Sequence, residues 1–195
     1  MIITNINLPA SQNPKEKVYQ KQLGDLCSCA EALRLTNSSD VEIRRLENAD
    51  EAETCARMMA GSEPWITLGR DYEASLEIVS DPSMEVYLAL RDDEIVGFVV
   101  ISLTGAFIGY VKSIYTAPGW RNKGIGSKLM SFVEDRIFRE APNVFICVSD
   151  FNEDAQRLYR RLGYEVVGEL KDYLVSGKSE ILMRKTIAPL AEFKM

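Results

Sequence analysis

Apolar and polar residues alternate in two registers along this chain, and the succession of those registers predicts a layered α/β fold. Val41-Glu-Ile-Arg-Arg-Leu46 alternates with the period of a half-buried strand. Asn48 followed by Glu51 is a variant of the capping box, opening a helix with Ala52, Cys55, Ala56 and Met59 on its buried face. Gly61-Ser-Glu-Pro-Trp65 breaks that helix, and a second is expected from Arg70 to Val79. Met84 to Leu90 and Ile95 to Leu103, joined by Arg-Asp-Asp-Glu, read as a hairpin. Gly105 turns the chain into a strand at 107 to 116, rich in aromatic and β-branched residues. Ile125, Leu129, Met130, Val133 and Ile137 then recur at helical spacing. Val144 to Val148 has the length and composition of a buried strand. Asn152 to Leu162 is a helix with Ala155, Leu158, Tyr159 and Leu162 in step, ended by Gly163. Val166 to Leu170 and Glu180 to Lys185 supply two more strands. The order is β-α-α-β-β-β-α-β-α-β-β.

Residues 1 to 40 read as an extension to a domain spanning 41 to 186, with 187 to 195 as a tail. Met1 to Pro14 is polar, whereas Lys15 to Leu35 carries Val18, Tyr19, Leu23, Leu26, Ala30 and Leu33 roughly on one side of a helix. That segment is open between packing on the domain, pairing with a second subunit in a homodimer, and no structural role. Thr36-Asn-Ser-Ser-Asp40 has linker composition.

Composition narrows the function. At 195 residues the chain is long enough for one domain with a sizeable core. No apolar run reaches the ~18 residues of a transmembrane helix, and no secretory signal is visible, so a cytoplasmic protein is expected. Cys27, Cys29, Cys55 and Cys147 lack zinc-site spacing and the chain has no histidine, so no metal is expected. A net charge of −6 disfavours nucleic acid as a partner and suits a cationic acceptor such as an amine.

The candidate chemistry centres on Thr116-Ala-Pro-Gly-Trp-Arg121-Asn-Lys-Gly124-Ile-Gly126-Ser-Lys-Leu129, a strand end, a turn and a helix start. The first turn of a helix offers unpaired backbone N–H groups with partial positive charge, and two glycines would let a phosphate approach without meeting a Cβ. Arg121 and Lys123 add full charges. The stretch lacks G-x-x-x-x-G-K-S/T and is no P-loop, and it lacks the third glycine of a dinucleotide fingerprint.

Arg121-Asn-Lys-Gly124-Ile-Gly126 resembles the R/Q-x-x-G-x-G/A signature of the GCN5-related N-acetyltransferases. Asn152-Glu-Asp-Ala155-Gln-Arg-Leu158-Tyr159-Arg-Arg-Leu162-Gly163-Tyr164 resembles the same family's N-x-x-A-x-x-L-Y-x-x-x-G-F/Y segment. Two signatures in order and at the right spacing make the resemblance specific, over roughly residues 41 to 186. It implies an α/β (α+β) acyl-CoA N-acyltransferase fold, with a mixed, largely antiparallel seven-stranded sheet and flanking helices. It also implies that the strand before the first signature and the strand after its helix splay apart, and that the pantetheine arm of acetyl-CoA sits between them.

The resemblance assigns roles residue by residue. The amides of Ile125 and Ser127, with Arg121, Asn122, Lys123, Gly124 and Gly126, would bind the pyrophosphate. Ile114 and Thr116 would offer main-chain groups to pantetheine, and an N–H near Thr116 would face the oxyanion. Asn152 would contact the pantetheine arm, alongside its ordinary reading as a helix N-cap. Tyr159 would give the leaving thiolate its proton, its alternatives being to orient the sulfur or simply to pack on the helix's apolar stripe. Glu63 and Trp65 are the candidates for acceptor binding, by charge and by cation–π stacking, against a reading in which Trp65 is core and Glu63 solvated. A well-known branch carries a glutamate five residues before the asparagine as general base. Here Cys147 stands there and reads as core. Glu63, Glu85 or a water chain remain as bases, the alternative being an amine that arrives already deprotonated. The resulting expectation is direct transfer from acetyl-CoA to a primary amine on a protein or small molecule. A non-catalytic CoA-binding module is the alternative.

Overall fold

The computed structural model describes residues 41–193, so the helix expected over 15 to 35 lies outside the described residues. Seven strands and four α-helices follow one another: β1 (Glu42–Arg45), α1 (Ala49–Ala60), α2 (Tyr72–Ser80), β2 (Met84–Arg91), β3 (Glu94–Ser102), β4 (Tyr110–Thr116), α3 (Ile125–Ile137), β5 (Asn143–Ser149), α4 (Glu153–Arg161), β6 (Glu165–Lys171) and β7 (Ser179–Thr186). The element order is that expected from the sequence. The strands form one sheet in the order β1-β2-β3-β4-β5-β7-β6, antiparallel throughout except for β4 against β5.

The helices start where local chemistry caps them. The Asn48 side chain accepts from the Glu51 amide at 3.0 Å, and the Glu51 carboxylate reaches back to the Glu47 amide at 2.9 Å. Asp71 caps α2 by accepting from the Ala74 amide at 2.9 Å, which moves the start of that helix from the expected Arg70 to Tyr72. Asp92 and Asp93, both at positive φ, close the β2–β3 hairpin.

Strands β2 and β3 are buried on both faces, as a sheet covered by helices on two sides requires. On one face Tyr87, Ala89, Val99 and Ile101 meet the Ile125, Leu129, Met130, Val133 and Ile137 stripe of α3. On the other, Val86, Leu88, Phe98 and Val100 meet Ala52, Cys55 and Met59 of α1 and Val79 of α2. Both helix stripes are those read from the sequence. Among the described residues no helix is long and apolar enough to cross a membrane.

One boundary differs in a way that matters for the site. The strand expected from 107 begins at Tyr110, because Gly109 adopts φ 88° and its amide bonds to Ser102 O at 3.1 Å. A Cβ on Gly109 would lie 2.4 Å from Asn143 O, so only glycine lets β4 and β5 begin side by side there. Phe107, apolar but in the turn, rests edge-on against Phe145 with ring centroids 4.8 Å apart.

Candidate functional site

Strands β4 and β5 pair only through Tyr110 with Phe145 and Val111 with Ile146. Past Val111 they have no registered partner in each other, while β4 continues against β3 and β5 against β7. The sheet is therefore open in its middle, as the resemblance implied. Two cavities occupy the opening.

The larger cavity, about 670 Å³, runs along the end of β4 and the starts of α3 and α4. Ile114, Thr116, Arg121, Asn122, Gly124, Ile125, Gly126, Ser127, Asn152 and Tyr159 all line it. Gly124 sits at the N-cap of α3 in the left-handed region, φ 84°, and no side chain caps the helix. Among the described residues the first-turn amides of α3 thus have neither an intrahelical nor a side-chain acceptor. A Cβ on Gly126 would meet Leu158 Cδ2 at 3.3 Å and Thr116 Oγ1 at 3.8 Å, so the glycine also lets α3 sit close to α4. Arg121 donates from Nε to Thr116 O at 3.4 Å, tying the loop to the strand end. Lys123 is not among the lining residues; its Nζ lies 5.0 Å from the centre of the Trp120 ring.

Asn152 caps α4, accepting from the Ala155 amide at 3.3 Å, and borders both cavities. Tyr159 borders both as well, although its side chain is buried on the α4 stripe beside Tyr164, ring centroids 5.9 Å apart. Burial pushes its hydroxyl well above the usual tyrosine range, which keeps it protonated. Burial is the only influence on that hydroxyl, and among the described residues no side chain hydrogen-bonds to it.

Glu63 and Trp65 both border the larger cavity, but in different states. Trp65 is only 6% exposed and packs on Tyr115, centroids 6.1 Å apart. Glu63 is exposed, and its carboxylate accepts from the Thr67 amide at 3.2 Å.

The smaller cavity, about 120 Å³, is lined by residues of both β4 and β5. Its walls include Arg70, Tyr110, Ser113, Cys147, Ser149 and Glu180, none of them singled out by the sequence as a site residue except Cys147, considered and set aside. Cys147 is half-buried and lines this cavity, where a fully packed core position was expected. Burial pushes its thiol up, so it remains a thiol and no base. Glu85, another base considered from the sequence, borders neither cavity. Arg136 grips it through Nε at 3.0 Å and through a second nitrogen at 2.7 Å, and Tyr87 donates to it at 2.6 Å. Burial alone would raise its carboxyl, but those hydrogen bonds hold it below the usual range. It is a structural ion pair. Among the described residues no group of three or more His, Cys, Asp or Glu is arranged to hold a metal ion.

The model of the Acetyltransferase (GNAT) family matches residues 45–164. The chain belongs to that family. The match spans both signature segments and most of the opened sheet. The chain is 28% identical over 157 residues to N-alpha-acetyltransferase RimI of Mycobacterium tuberculosis, covering 76% of this chain and 94% of that protein. It is 28% identical over 158 residues to an uncharacterized protein of Mycobacterium leprae, spanning 76% of this chain but only 42% of that longer protein. An aminoglycoside 6'-N-acetyltransferase crystallised with coenzyme A shares the fold, with TM-score 0.64 and 19% identity over 76% of this chain and 98% of that one.

Proposed function

We propose that this GNAT acetyltransferase moves the acetyl group of acetyl-CoA directly to a primary amine, and that both substrates meet in the opening between β4 and β5. The observation that carries the reading is that one cavity joins an uncapped, glycine-started helix to the unpaired edge of β4 and to Tyr159. The residues fit acetyl-CoA. Gly124 and Gly126 leave the first turn of α3 without side-chain obstruction, so the amides of Ile125 to Ser127 suit a pyrophosphate, with Arg121 and Asn122 beside them. Ile114 and Thr116 offer main-chain groups to the pantetheine arm, and Asn152 borders the same path. Acetyl-CoA supplies an activated acyl group. Tyr159, neutral and without a hydrogen-bond partner among the described residues, gives a proton to the departing sulfur.

Acceptors among the relatives span protein N-termini, in N-alpha-acetyltransferase RimI, and the amines of aminoglycosides. Glu63, exposed at the edge of the larger cavity, suits the approach of a cationic amine of either kind, and Trp65 forms the wall behind it. The free thiols of Cys55 and Cys147 fit a cytoplasmic enzyme. Thiol release from acetyl-CoA decides between an enzyme and a CoA-binding module. The assay pairs acetyl-CoA with an alanine-headed peptide, a lysine peptide, spermidine and an aminoglycoside in turn. Acceptor-dependent release supports transfer. Coenzyme A binding by calorimetry with no release on any amine leaves a binding module.

A further inference from the structure

Tyr159 provides for the leaving sulfur, but an amine at neutral pH arrives as an ammonium and must lose a proton before its lone pair can attack. The glutamate that one branch of the family places at position 147 is a cysteine here, and its thiol is held protonated by burial.

The smaller cavity contains a carboxylate from another strand. Glu180 on β7 is 5% exposed and stands directly across from Ser149 on β5. Ser149 Oγ donates to Glu180 Oε1 at 2.6 Å. Among the described residues no lysine or arginine forms an ion pair with Glu180; Arg70, on the same cavity wall, acts on it only at longer range. A buried carboxylate without a cation is costly and is a natural place for a ligand's positive charge. A second observation points the same way. Ser113 Oγ, on the β4 wall of this cavity, is buried and among the described residues has no hydrogen-bond partner. Tyr159, Asn152 and Ile114 line the same cavity, so it opens onto the position where transfer is read to occur.

We propose that Glu180, oriented by Ser149, receives the acceptor as its ammonium and accepts the proton that frees the nitrogen for attack. The proposal rests on the acetyl-transfer reading above. In the step, R–NH3+ gives one proton to the Glu180 carboxylate, leaving R–NH2 and a neutral carboxyl. The nitrogen lone pair forms the new bond to the acyl carbon, and the carbon–sulfur bond breaks with its electron pair going to sulfur. Tyr159 protonates that sulfur and recovers its proton from the new amide nitrogen. Glu180 then releases its proton to solvent. The sum is one amide, one thiol and one proton.

The surroundings of Glu180 suit a base. Burial pushes its carboxyl above the usual range, and Asp150 pushes the same way, while the Ser149 hydroxyl and the Arg70 charge pull it back. Lys112 and Tyr110 on β4, Cys147 on β5 and Tyr173 after β6 complete the titratable lining. A carboxylate raised towards neutrality takes a proton more readily than a solvated one.

The test uses the full chain, acetyl-CoA and the four amines named above. With the amine that wild type acetylates, Glu180→Gln should bind acetyl-CoA like wild type yet lose roughly 10²- to 10⁴-fold in kcat/KM at neutral pH. Its residual rate should climb with the fraction of free amine as pH rises. Ser149→Ala removes a bond that favours the charged carboxylate, so the acid limb of its pH–rate profile should move to higher pH. Wild-type kcat/KM and an unchanged acid limb in Glu180→Gln overturn the assignment. If that variant does not fold, Ser149→Ala decides, and an acid limb identical to wild type overturns it. A wild type inert towards all four amines refutes the transfer reading itself, and this assignment falls with it.

Discussion

Gly126 of α3 faces Leu158 of α4 at the edge of the larger cavity, close enough that a Cβ on the glycine would sit 3.3 Å from Leu158 Cδ2. The neighbour is the far end of a flexible side chain, so the pair separates two effects of a substitution. Gly126→Ala should keep the fold, its stability changing by no more than about 1 kcal/mol as helix preference offsets crowding. The added methyl enters the path assigned to the pyrophosphate, so the KM for acetyl-CoA should rise. Thermal melting and initial-rate kinetics check both. A fully stable variant with wild-type acetyl-CoA affinity removes the phosphate from this helix start.

Tyr159→Phe keeps the ring that packs beside Tyr164 and removes a hydroxyl that bonds to none of the described residues. Stability and coenzyme A affinity should therefore match wild type. Loss of a general acid should lower kcat by about 10²- to 10⁴-fold. Calorimetric binding alongside turnover measures the two separately, and an undiminished kcat assigns Tyr159 to packing alone.

Trp65 and Glu63 should respond in opposite ways. Trp65 is 6% exposed against Tyr115, so Trp65→Ala should cost about 3–5 kcal/mol of stability, visible as a lowered urea midpoint. Glu63→Gln keeps an oxygen for the Thr67 amide and should leave stability alone while raising the KM for a cationic acceptor and not for acetyl-CoA. Equal movement of both constants would place the acceptor's charge elsewhere.

Arg136 and Glu85 give the fold an acid-sensitive clasp. The Glu85 carboxyl is held below its ordinary value of 4.5 in the folded state, because hydrogen bonds from Arg136 and Tyr87 outweigh its burial. A depressed carboxyl contributes stability that is fully present above the unfolded value and is lost as pH falls through the lower folded one. Wild type should thus lose stability below about pH 4.5, whereas Glu85→Gln should start less stable at neutral pH and fall less steeply. Urea midpoints across that range test it, and parallel curves for the two proteins contradict it.

Much of this architecture was written in local pattern. The stripes on α1, α3 and α4 announce themselves because each needs only residues three and four apart. The glycines and Asn152 were legible for the same reason, lying within two contiguous signatures. The opening between β4 and β5 was not legible from periodicity, since nothing within a strand records where its neighbour leaves it; only the family resemblance implied it. Glu180 escaped notice because it reads as the first residue of an ordinary strand, and its meaning comes from Ser149, 31 residues earlier. Its one local signal was a carboxylate heading the apolar run Ile181-Leu182-Met183. Phe107 misled in the other direction, since an apolar side chain can dock on Phe145 from a turn as well as from a strand.

The early parting of β4 from β5 has a consequence for how this chain can change over time. An opening bounded by peptide groups belongs to the main chain, so replacing the side chains along it does not close it. The 28% identity to its Mycobacterium tuberculosis relative leaves most side chains open to change, whereas the opening itself is set by where the two strands stop pairing. The vulnerable points are few and specific. Gly109, where any Cβ would strike the Asn143 carbonyl, is one at which a single codon could shift the frame itself.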